Sequence, residues 1–362
     1  MNELPFQRDR AESWAESPLT LAQLREFDDI VDARSPSEYA DDHLPGAINA
    51  PTLDDEERAH VGTVYKQQSA FEAKRIGAPI AARNVARHIE TLFADKPRGW
   101  RPLVYCWRGG SRSGSMTHIL RQVGWDATRL KGGYKAFRKQ VLDDLDVLPQ
   151  QFRFHVVCGA TGTGKSRLLE ALDRAGAQVL DLEGLAAHRG SVLGDLPGDP
   201  QPPQKLFETR VWEKLSGFDR ARPVYVESES KKVGNLRVPE ALIGLMRASR
   251  CFRLEAGTAT RVKLLVEDYA HFVRDPEALA AKLDHLRPLH GAERIGVWKE
   301  HMAAGRWDPL VEDLLRDHYD PAYHRSLFRN YRDAQAGVVL EVRSGSREEF
   351  DRLARTLARE HG

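Results

Sequence analysis

The chain has 362 residues, which is longer than one average domain and predicts two or three domains. Hydrophobic residues make up 41% of the chain and charged residues 30%, which is enough for a core of ordinary size. The formal net charge of +1 excludes a polycation, so any nucleic-acid partner would need a local basic patch.

The cysteine content and the absence of long apolar runs indicate the compartment. Cys106, Cys158 and Cys251 are widely spaced and form no Cys-x-x-Cys pair, so we do not expect a disulfide framework. The first residues lack the charged-then-apolar pattern of a signal peptide. No run approaches the ~18 apolar residues that a membrane span needs. The sequence therefore predicts a cytoplasmic protein with reduced thiols and no membrane partner.

Strands alternate with helices over residues 15–142, which predicts an α/β domain with a parallel sheet. A short strand, a small helix and a second short strand come first, with a turn at Pro45-Gly46. Residues 55–95 are predicted to be mostly helical, with a break near Gly77-Ala78-Pro79. The buried strand PLVYC and the helix SRSGSMTHILRQVG follow. A last short strand, a Gly-Gly turn and a closing helix complete the domain.

Residues 143–151, DDLDVLPQQ, are predicted to link this domain to a second α/β domain over residues 152–362. The second domain begins with the strand FRFHVVCG and the helix GKSRLLEALDRAG. The strands AQVLDL, PVYVESES and RCFRLEA follow, separated by helices. Residues from about 261 to 332 are charged and predicted to be helical. GVVLEVRSG is predicted to form an edge strand, and SREEFDRLARTLARE a terminal helix capped by Ser346.

A cysteine stands in a turn of small and basic residues within the stretch LVYCWRGGSRSGSM. Since a strand ends at this turn and a helix begins after it, the backbone N–H groups of the turn can converge on an anion or stabilise the thiolate of Cys106. The pattern therefore predicts a nucleophilic sulfur beside an anion-binding loop. The loop residues around the thiol are Arg108, Gly109, Gly110, Ser111 and Arg112.

Two classes of enzyme use such a loop. The rhodanese-like sulfurtransferases are one, and the phosphatases with Cys-x5-Arg-[Ser/Thr], which Cys106, Arg112 and Ser113 match, are the other. The upstream stretch DARSPSEYADDHLPGAIN resembles the rhodanese motif, whereas Tyr105 stands where tyrosine phosphatases usually carry His. Arg112 lies one residue farther from the cysteine than in many single-domain rhodaneses, which predicts room for a group larger than a bare sulfane sulfur. A Cys-dependent phosphatase stays the alternative enzyme.

A second loop, GATGTGKS, fits the pattern G-x-x-x-x-G-K-[ST] between a predicted strand and a predicted helix, which is the context of a P-loop. Its N–H groups would surround a diphosphate, Lys165 would reach the phosphates and Ser166 could ligate Mg²⁺. Asp181 and Glu227 each end a predicted strand, and each is a candidate acid beside a metal or, equally, a capping or surface acid. The predicted phosphate-binding residues are Gly159, Gly162, Thr163, Gly164, Lys165 and Ser166.

The order of a rhodanese-like domain and then a P-loop NTPase-like domain resembles the tRNA 2-selenouridine synthase family over nearly the full length. Generic rhodaneses and generic NTPases lack most of the motifs that carry this resemblance. These motifs are HLPGAINAP, ERAHVGTVYKQQSAFEAKRIGA, LVYCWRGGSRSGSM, LKGGYKAFR, GATGTGKS, QVLDLEGLAAHRGSVLG, PQPPQKLFE and VESESKKVGNLRVP.

The resemblance implies an enzyme that acts on 2-thiouridine at the wobble position of tRNA and replaces its sulfur with selenium from selenophosphate. It also implies an S-geranyl intermediate made from geranyl diphosphate, and a catalytic role for the cysteine that matches Cys106. We hypothesise that the P-loop holds the diphosphate and that the Cys106 loop receives selenophosphate. Whether the P-loop hydrolyses a nucleotide, and whether Cys106 carries selenium covalently or acts as an acid and base, stays open at the level of sequence.

One region is locally basic. Between Lys205 and Lys263 the chain has 13 Lys/Arg against 7 Asp/Glu, which fits either a solvated surface or a tRNA contact. Arg247, Arg250 and Arg261 are the candidate tRNA contacts. A non-catalytic alternative is a nucleotide-switched tRNA-binding adaptor. The intact cysteine argues against the adaptor, because inactive rhodanese-like domains often lack the thiol.

Overall fold

The computed structural model describes residues 19–191, 193–331 and 333–362, so the first four residues of the predicted domain 15–142 lie outside it. The chain divides into two compact units. The first consists of the described residues up to Asp144 together with Pro203–Gly217. The second consists of Leu145–Pro202 and Phe218–Gly362.

The first unit is an α/β domain on a four-stranded parallel sheet in the order β2-β1-β3-β4. This architecture agrees with the predicted fold class. The strands are β1 (Asp29–Asp32), β2 (Ala47–Asn49), β3 (Pro102–Tyr105) and β4 (Thr128–Arg129). The helices are α1 (Leu21–Leu24), α2 (Pro36–Asp41), α3 (Asp55–Gln67), α4 (Ala70–Thr91), α5 (Ser111–Val123), α6 (Gly133–Val147) and, later in the chain, α9 (Gln204–Gly217).

The core of the first unit lies where α4 and α5 pack on the sheet. Val104 of β3, Val85 of α4 and Met116 of α5 are fully buried in one cluster. Burying each of these side chains contributes about 1.5–3 kcal/mol. Cys106 belongs to the same cluster, so the core itself fixes the residue that opens the turn after β3.

The predicted break at Gly77-Ala78-Pro79 is wrong. Helix α4 runs without interruption through Pro79, and the chain turns earlier, between α3 and α4. A proline inside a helix removes one hydrogen bond and costs about 3 kcal/mol. Packing offsets this cost: a Cβ on Gly77 would lie 3.3 Å from Cγ1 of Val61 in α3, so glycine lets the two helices approach closely.

The predicted linker, residues 143–151, is helical. Helix α6 continues to Val147, and a 3-10 helix spans Leu148–Gln151. The sequence also assigned residues 204–217 to the second domain, whereas α9 packs in the first unit. The ring of Trp212 meets Phe137 edge-on at 5.4 Å, and its Nε1 donates to Asp144 Oδ2 at 2.8 Å. An amphipathic helix can cover either of two cores, and its own sequence does not say which.

The second unit is built on a five-stranded parallel sheet in the order β11-β10-β5-β7-β6. The strands are β5 (Phe154–Gly159), β6 (Gln178–Leu180), β7 (Val224–Glu227), β10 (Arg250–Ala256) and β11 (Val338–Val342). A short antiparallel hairpin that the sequence did not predict joins β8 (Lys232–Val233) to β9 (Leu236–Arg237). Strand β11 lies at the edge of the sheet, as predicted.

The other helices of the second unit flank this sheet or form the C-terminal region that the sequence predicts to be helical. They are α7 (Lys165–Arg174), α8 (Leu182–Leu185), α10 (Glu240–Ala248), α11 (Thr258–Asp268), α12 (Ala270–Arg274), α13 (Pro276–Asp284), α14 (Arg287–Ala303), α15 (Trp307–Leu314), α16 (Asp320–Asn330) and α17 (Arg347–His361). Leu168 of α7, Phe252 of β10 and Phe350 of α17 share one buried cluster. Ser346 caps α17 by accepting from Glu349 N, as predicted.

Strand β5 is central in its sheet, and the P-loop follows its carboxyl end. In open parallel sheets this edge is where ligands bind.

Among the described residues, no helix is long and apolar enough to cross a bilayer.

Candidate functional site

The thiol of Cys106 lies directly after β3 and against the first turn of α5. Its Sγ accepts a hydrogen bond from Gly110 N at 3.3 Å and lies 3.2 Å from Ser113 Oγ. Gly110 is also the N-cap residue of α5, so the positive end of the helix dipole faces the same region. A backbone N–H, a hydroxyl and a helix N-terminus together stabilise negative charge on the sulfur.

The backbone that follows the Gly-Gly turn at the start of α6 donates hydrogen bonds to carbonyl groups of the Cys106 loop. Tyr134 N donates to Cys106 O at 2.9 Å, and Lys135 N donates to Trp107 O at 2.9 Å. Gly133 has φ 57°, in the left-handed region, and a Cβ there would lie 2.2 Å from Cys106 O. The motif LKGGYKAFR therefore fixes the Cys106 loop, a role that the sequence analysis did not assign to it.

Arg112 makes an ion pair instead of leaving its charge free beside the thiol. Its Nη1 lies 2.5 Å from Glu38 Oε2, and Arg58 Nε lies 2.9 Å from the same oxygen. Burial alone would raise the pKa of Glu38, but the hydrogen bond and charge of Arg112 outweigh burial and lower it. An anion entering the loop therefore competes with Glu38 for this guanidinium, while Arg108 is exposed.

The Asp-x-Arg element holds the ends of β1 and β3 together. Arg34 Nη2 lies 2.6 Å from Asp32 Oδ2, and Tyr105 OH donates to the same oxygen at 2.7 Å. The Arg34 guanidinium also lies 3.9 Å from the ring centroid of Tyr134. All these side chains are buried, so the motif positions the Cys106 loop and does not contact a substrate.

The second loop has the geometry of a P-loop. It follows β5, and α7 begins at Lys165 after Gly164, which has φ 86°. A Cβ on Gly164 would lie 2.3 Å from Phe350 Cζ, so the packed core requires glycine there. Lys165 Nζ donates to Gly159 O at 2.9 Å and must leave this carbonyl to reach a phosphate.

The remaining loop residues stabilise its shape. Thr163 is buried, and its hydroxyl donates to Ala160 O at 2.8 Å. Gly162 has φ 81°, and a Cβ there would lie 2.8 Å from Cδ1 of Leu265, so α11 packs directly against the loop. The loop is therefore shaped before any ligand binds, and its N–H groups do not need to be ordered by the ligand.

A polar cavity of about 210 Å³ lies beside the P-loop. Lys165 and Arg189 contribute positive charge to its wall, and Glu183 and Glu229 contribute carboxyl groups. Tyr269, Tyr323 and Tyr331 also line it. The cavity thus combines cations for phosphate groups with acids that would repel phosphate if they were ionised.

Burial raises the pKa of three glutamates at or next to this cavity. Glu227 ends β7, and its Oε1 accepts from Glu183 N at 2.7 Å. Burial and the charges of Asp181 and Glu183 raise the pKa of Glu227 well above its usual value. Burial also raises the pKa of Glu183, whose Oε2 lies 3.1 Å from Ser166 Oγ. Burial and the charge of Glu183 raise the pKa of Glu229 to about 8.

Sequence reasoning found only part of this acid group. Asp181 caps α8 by accepting from Gly184 N at 2.7 Å, which is the capping role left open above. The acid that contacts Ser166 is Glu183, two residues later, and Glu229 is likewise two residues beyond Glu227. The sequence could have indicated Glu183 and Glu229 by their position, since each follows a candidate acid at a strand end by two residues and so stays near the same edge of the sheet.

The candidate tRNA contacts differ in exposure. Arg250 begins β10 and is exposed, and Arg247 of α10 is partly buried. Arg261, the third candidate, does not lie on an exposed surface. Arg261 is buried, its Nη2 lies 2.5 Å from Asp320 Oδ1, and its Nε donates to Thr161 O at 2.9 Å. Its guanidinium holds the P-loop backbone, which a count of charges along the sequence could not reveal.

The folds and the two loops define a rhodanese-like domain followed by a P-loop domain. Family models agree: residues 17–140 match the rhodanese-like domain, and residues 152–287 match the tRNA 2-selenouridine synthase AAA domain.

Three relatives named tRNA 2-selenouridine synthase align over most of the chain. The relative from Marinobacter nauticus is 33% identical and covers 82% of this chain and 88% of its own length. The relative from Hydrogenovibrio crunogenus is 35% identical, with 81% and 88% covered. The relative from Alcanivorax borkumensis is 31% identical, with 88% and 93% covered. The chain belongs to the tRNA 2-selenouridine synthase family.

Proposed function

We propose that this chain is an enzyme that modifies tRNA by replacing the sulfur of wobble-position 2-thiouridine with selenium. One observation supports the proposal beyond the family name: a single chain holds two strand–loop–helix turns of a shape suited to anions, and only one of the two contains a thiol. The thiol contacts Gly110 N and Ser113 Oγ, and the other loop ends in Lys165 and Ser166. Two different phosphate-bearing co-substrates suit two such loops.

The two co-substrates in this proposal are geranyl diphosphate and selenophosphate. A thiocarbonyl sulfur is a poor leaving group, so direct displacement by selenium is slow. In the first step the sulfur attacks C1 of geranyl diphosphate, a C–S bond forms, a C–O bond breaks and diphosphate leaves. In the second step selenium adds at C2 of the base, and the C2–S bond breaks to release geranyl thiol. Alkylation thus turns the sulfur into a group that can leave.

The P-loop is the proposed site for the diphosphate. The loop N–H groups and Lys165 would stabilise the negative charge that develops as diphosphate leaves. Hydroxyl and carboxylate oxygens are the ligands that Mg²⁺ prefers, and Ser166 Oγ with Glu183 offers both. Among the described residues no group of three or more His, Cys, Asp or Glu is arranged to hold a metal. A Mg²⁺ held by Ser166 and Glu183 would supply positive charge beside the leaving diphosphate.

The Cys106 loop is the proposed site for selenophosphate. Transfer of selenium from selenophosphate to sulfur would leave phosphorus reduced, so it needs an oxidant if phosphate is the product. Attack of the Cys106 thiolate on phosphorus needs none: an S–P bond forms, the P–Se bond breaks and selenide leaves. Water would then cleave the S–P bond, which releases phosphate and restores the thiol. The Cys-x5-Arg spacing shared with phosphatases supports this second route. Proton transfer by the thiol to or from the base is the other role that fits its position.

Mass spectrometry of tRNA nucleosides tests the proposal. Cells that lack the gene should lose 2-selenouridine and regain it with the intact chain but not with Cys106→Ser. Unchanged 2-selenouridine in the deletion strain would refute the proposed reaction. Rapid hydrolysis of p-nitrophenyl phosphate by the purified chain, without any change in tRNA, would instead favour the phosphatase alternative.

A further inference from the structure

A second cavity adjoins the polar cavity of the P-loop, and its wall is almost entirely apolar. It has a volume of about 60 Å³ and lies among the helices of the C-terminal region. Its lining includes Phe272, Trp307, Leu310, Val311, Leu314 and Tyr319. Val273 also lines it and is 38% exposed, so the cavity reaches the protein surface.

The two cavities share part of their walls. Thr161 of the P-loop, Leu265 of α11 and Tyr269 line both of them. Leu265 packs against the loop at Gly162, as described above. The ring of Tyr269 has the Arg189 guanidinium 5.2 Å from its centroid and stacks with Phe272 at 6.0 Å. Tyr269 therefore joins the cationic wall of the polar cavity to the apolar wall of the other.

We propose that the apolar cavity is the subsite for the hydrocarbon chain of a prenyl diphosphate whose diphosphate lies on the P-loop. This inference rests on the proposed function and adds where the chain of the donor binds. A ligand with an anionic head and an apolar tail matches the change from cations at Lys165 and Arg189 to a wall of Leu, Val, Phe and Trp. A nucleotide does not match it, because a ribose or base placed there would lose hydrogen bonds to water.

The volume of the apolar cavity limits how much of a prenyl chain it can hold. At about 60 Å³ it accommodates only part of a chain, and the rest of the chain continues along the rim near Val273. Each methylene that is buried strengthens binding by about fourfold. The affinity should therefore rise with chain length until the cavity is filled, and then level off.

Isothermal titration of the full chain with diphosphates of increasing chain length tests the subsite. The ligands are inorganic pyrophosphate, dimethylallyl diphosphate, geranyl diphosphate and GDP. We expect geranyl diphosphate to bind at least about tenfold more tightly than pyrophosphate and dimethylallyl diphosphate. Equal affinity for pyrophosphate and geranyl diphosphate would overturn the subsite and leave the P-loop assignment standing. Failure of pyrophosphate and geranyl diphosphate to bind would overturn both.

A cavity-filling variant locates the effect. Val311→Trp should abolish the preference for the geranyl chain and leave the affinity for pyrophosphate within about twofold, because Val311 lines only the apolar cavity. Val339→Trp is the matched control, since Val339 is 44% exposed on β11 and lines neither cavity. A preference for geranyl that survives Val311→Trp in a folded protein would place the chain elsewhere. If Val311→Trp does not fold, the chain-length series on the unaltered protein decides.

Discussion

The two anion-binding loops share a strand–loop–helix geometry, but they differ in how their charge is arranged. At Cys106 the positive groups are fixed: Gly110 N contacts the sulfur, and the charge of Arg112 is balanced by Glu38. At the P-loop, Lys165 lines one cavity with the half-buried Glu183 and the buried Glu229, and the pKa of each of these carboxyl groups is raised. A backbone N–H group and a matched ion pair arrange the charge at the first loop, whereas the charge around the second loop depends on the protonation of its acids.

The raised pKa of Glu229 makes the charge around the P-loop depend on pH. A loop surrounded by acids with raised pKa values becomes more negative as the pH rises, and then repels phosphate.

Replacing the thiol should give the largest difference between the rates of the two proposed reactions. Cys106→Ser keeps the size of the side chain but removes the thiolate, so selenium incorporation should fall by on the order of 10³–10⁴-fold. Transfer of geranyl to 2-thiouridine tRNA should stay near the normal rate. Both products are measured by mass spectrometry of nucleosides. Selenium incorporation at the normal rate would show that Cys106 takes no part in the chemistry.

Removing the P-loop lysine should give the opposite pattern. Lys165→Ala removes a charge where diphosphate leaves, so geranyl transfer should slow by about 10²–10³-fold. The variant should still convert tRNA that already carries S-geranyl-2-thiouridine into the selenium product. An equal loss on both substrates would contradict the division of labour, and the P-loop would then support tRNA docking or a nucleotide-driven step.

The Gly-Gly turn should be intolerant of any side chain. In Gly133→Ala the new Cβ would meet Cys106 O, and the left-handed conformation adds strain, so we expect a loss of about 2–4 kcal/mol in unfolding free energy. Gly46→Ala is the control, because Gly46 has φ 71° and open space around it. It should cost only about 1–2 kcal/mol in urea unfolding. Similar losses in both variants would mean that contact with the Cys106 loop adds nothing.

The raised pKa of Glu229 predicts how stability depends on pH. Protonated Glu229 is favoured in the folded protein, so its contribution is full below the usual pKa of glutamate and is lost as the pH rises through about 8. Glu229→Gln mimics the neutral form and should flatten this decline, by on the order of 1–3 kcal/mol between pH 5 and pH 9. Urea unfolding at several pH values measures it. The exposed Glu240→Gln is the control, and an identical slope in both variants would contradict the assignment.

Binding of tRNA should be the least sensitive to any single change. If the exposed Arg250 contacts one phosphate, Arg250→Ala should reduce the slope of log affinity against log salt by about 0.7–0.9. Arg347→Ala, at an exposed position on α17, is the control. Filter binding over a range of KCl concentrations gives both slopes. An unchanged slope for Arg250→Ala would place the tRNA on another surface.

The sequence predicted the elements whose signal is local. The strand–loop–helix context of both loops, the edge strand β11 and the Ser346 cap depend on neighbouring residues, and the structure has all of them. Features that depend on distant packing were missed. Pro79 continues a helix because Gly77 packs against α3, and Arg261 is buried because Asp320 and the P-loop backbone bind it.

The sequence predicted the two loops of the site, but it did not predict the residues that surround them. Cys106 and Lys165 stand in motifs whose spacing predicts their roles. Glu183 and Glu229 do not, because an acid after a strand is common, and the burial and neighbouring acids that raise its pKa appear only in the folded chain. Gly133 stands in the motif LKGGYKAFR, but its role depends on its closeness to the carbonyl oxygen of Cys106, which lies 27 residues earlier in the chain.

Helix α9 has a consequence for the newborn chain on the ribosome. The first unit is complete only when Pro203–Gly217 has been made, although its other residues end at Asp144. At 5–20 residues per second, the ribosome takes about 4–15 s to travel from Asp144 to Gly217. During that time Phe137 lacks the ring of Trp212 that later covers it. Translation speed between these two points therefore sets how long an unfinished hydrophobic surface is available to chaperones.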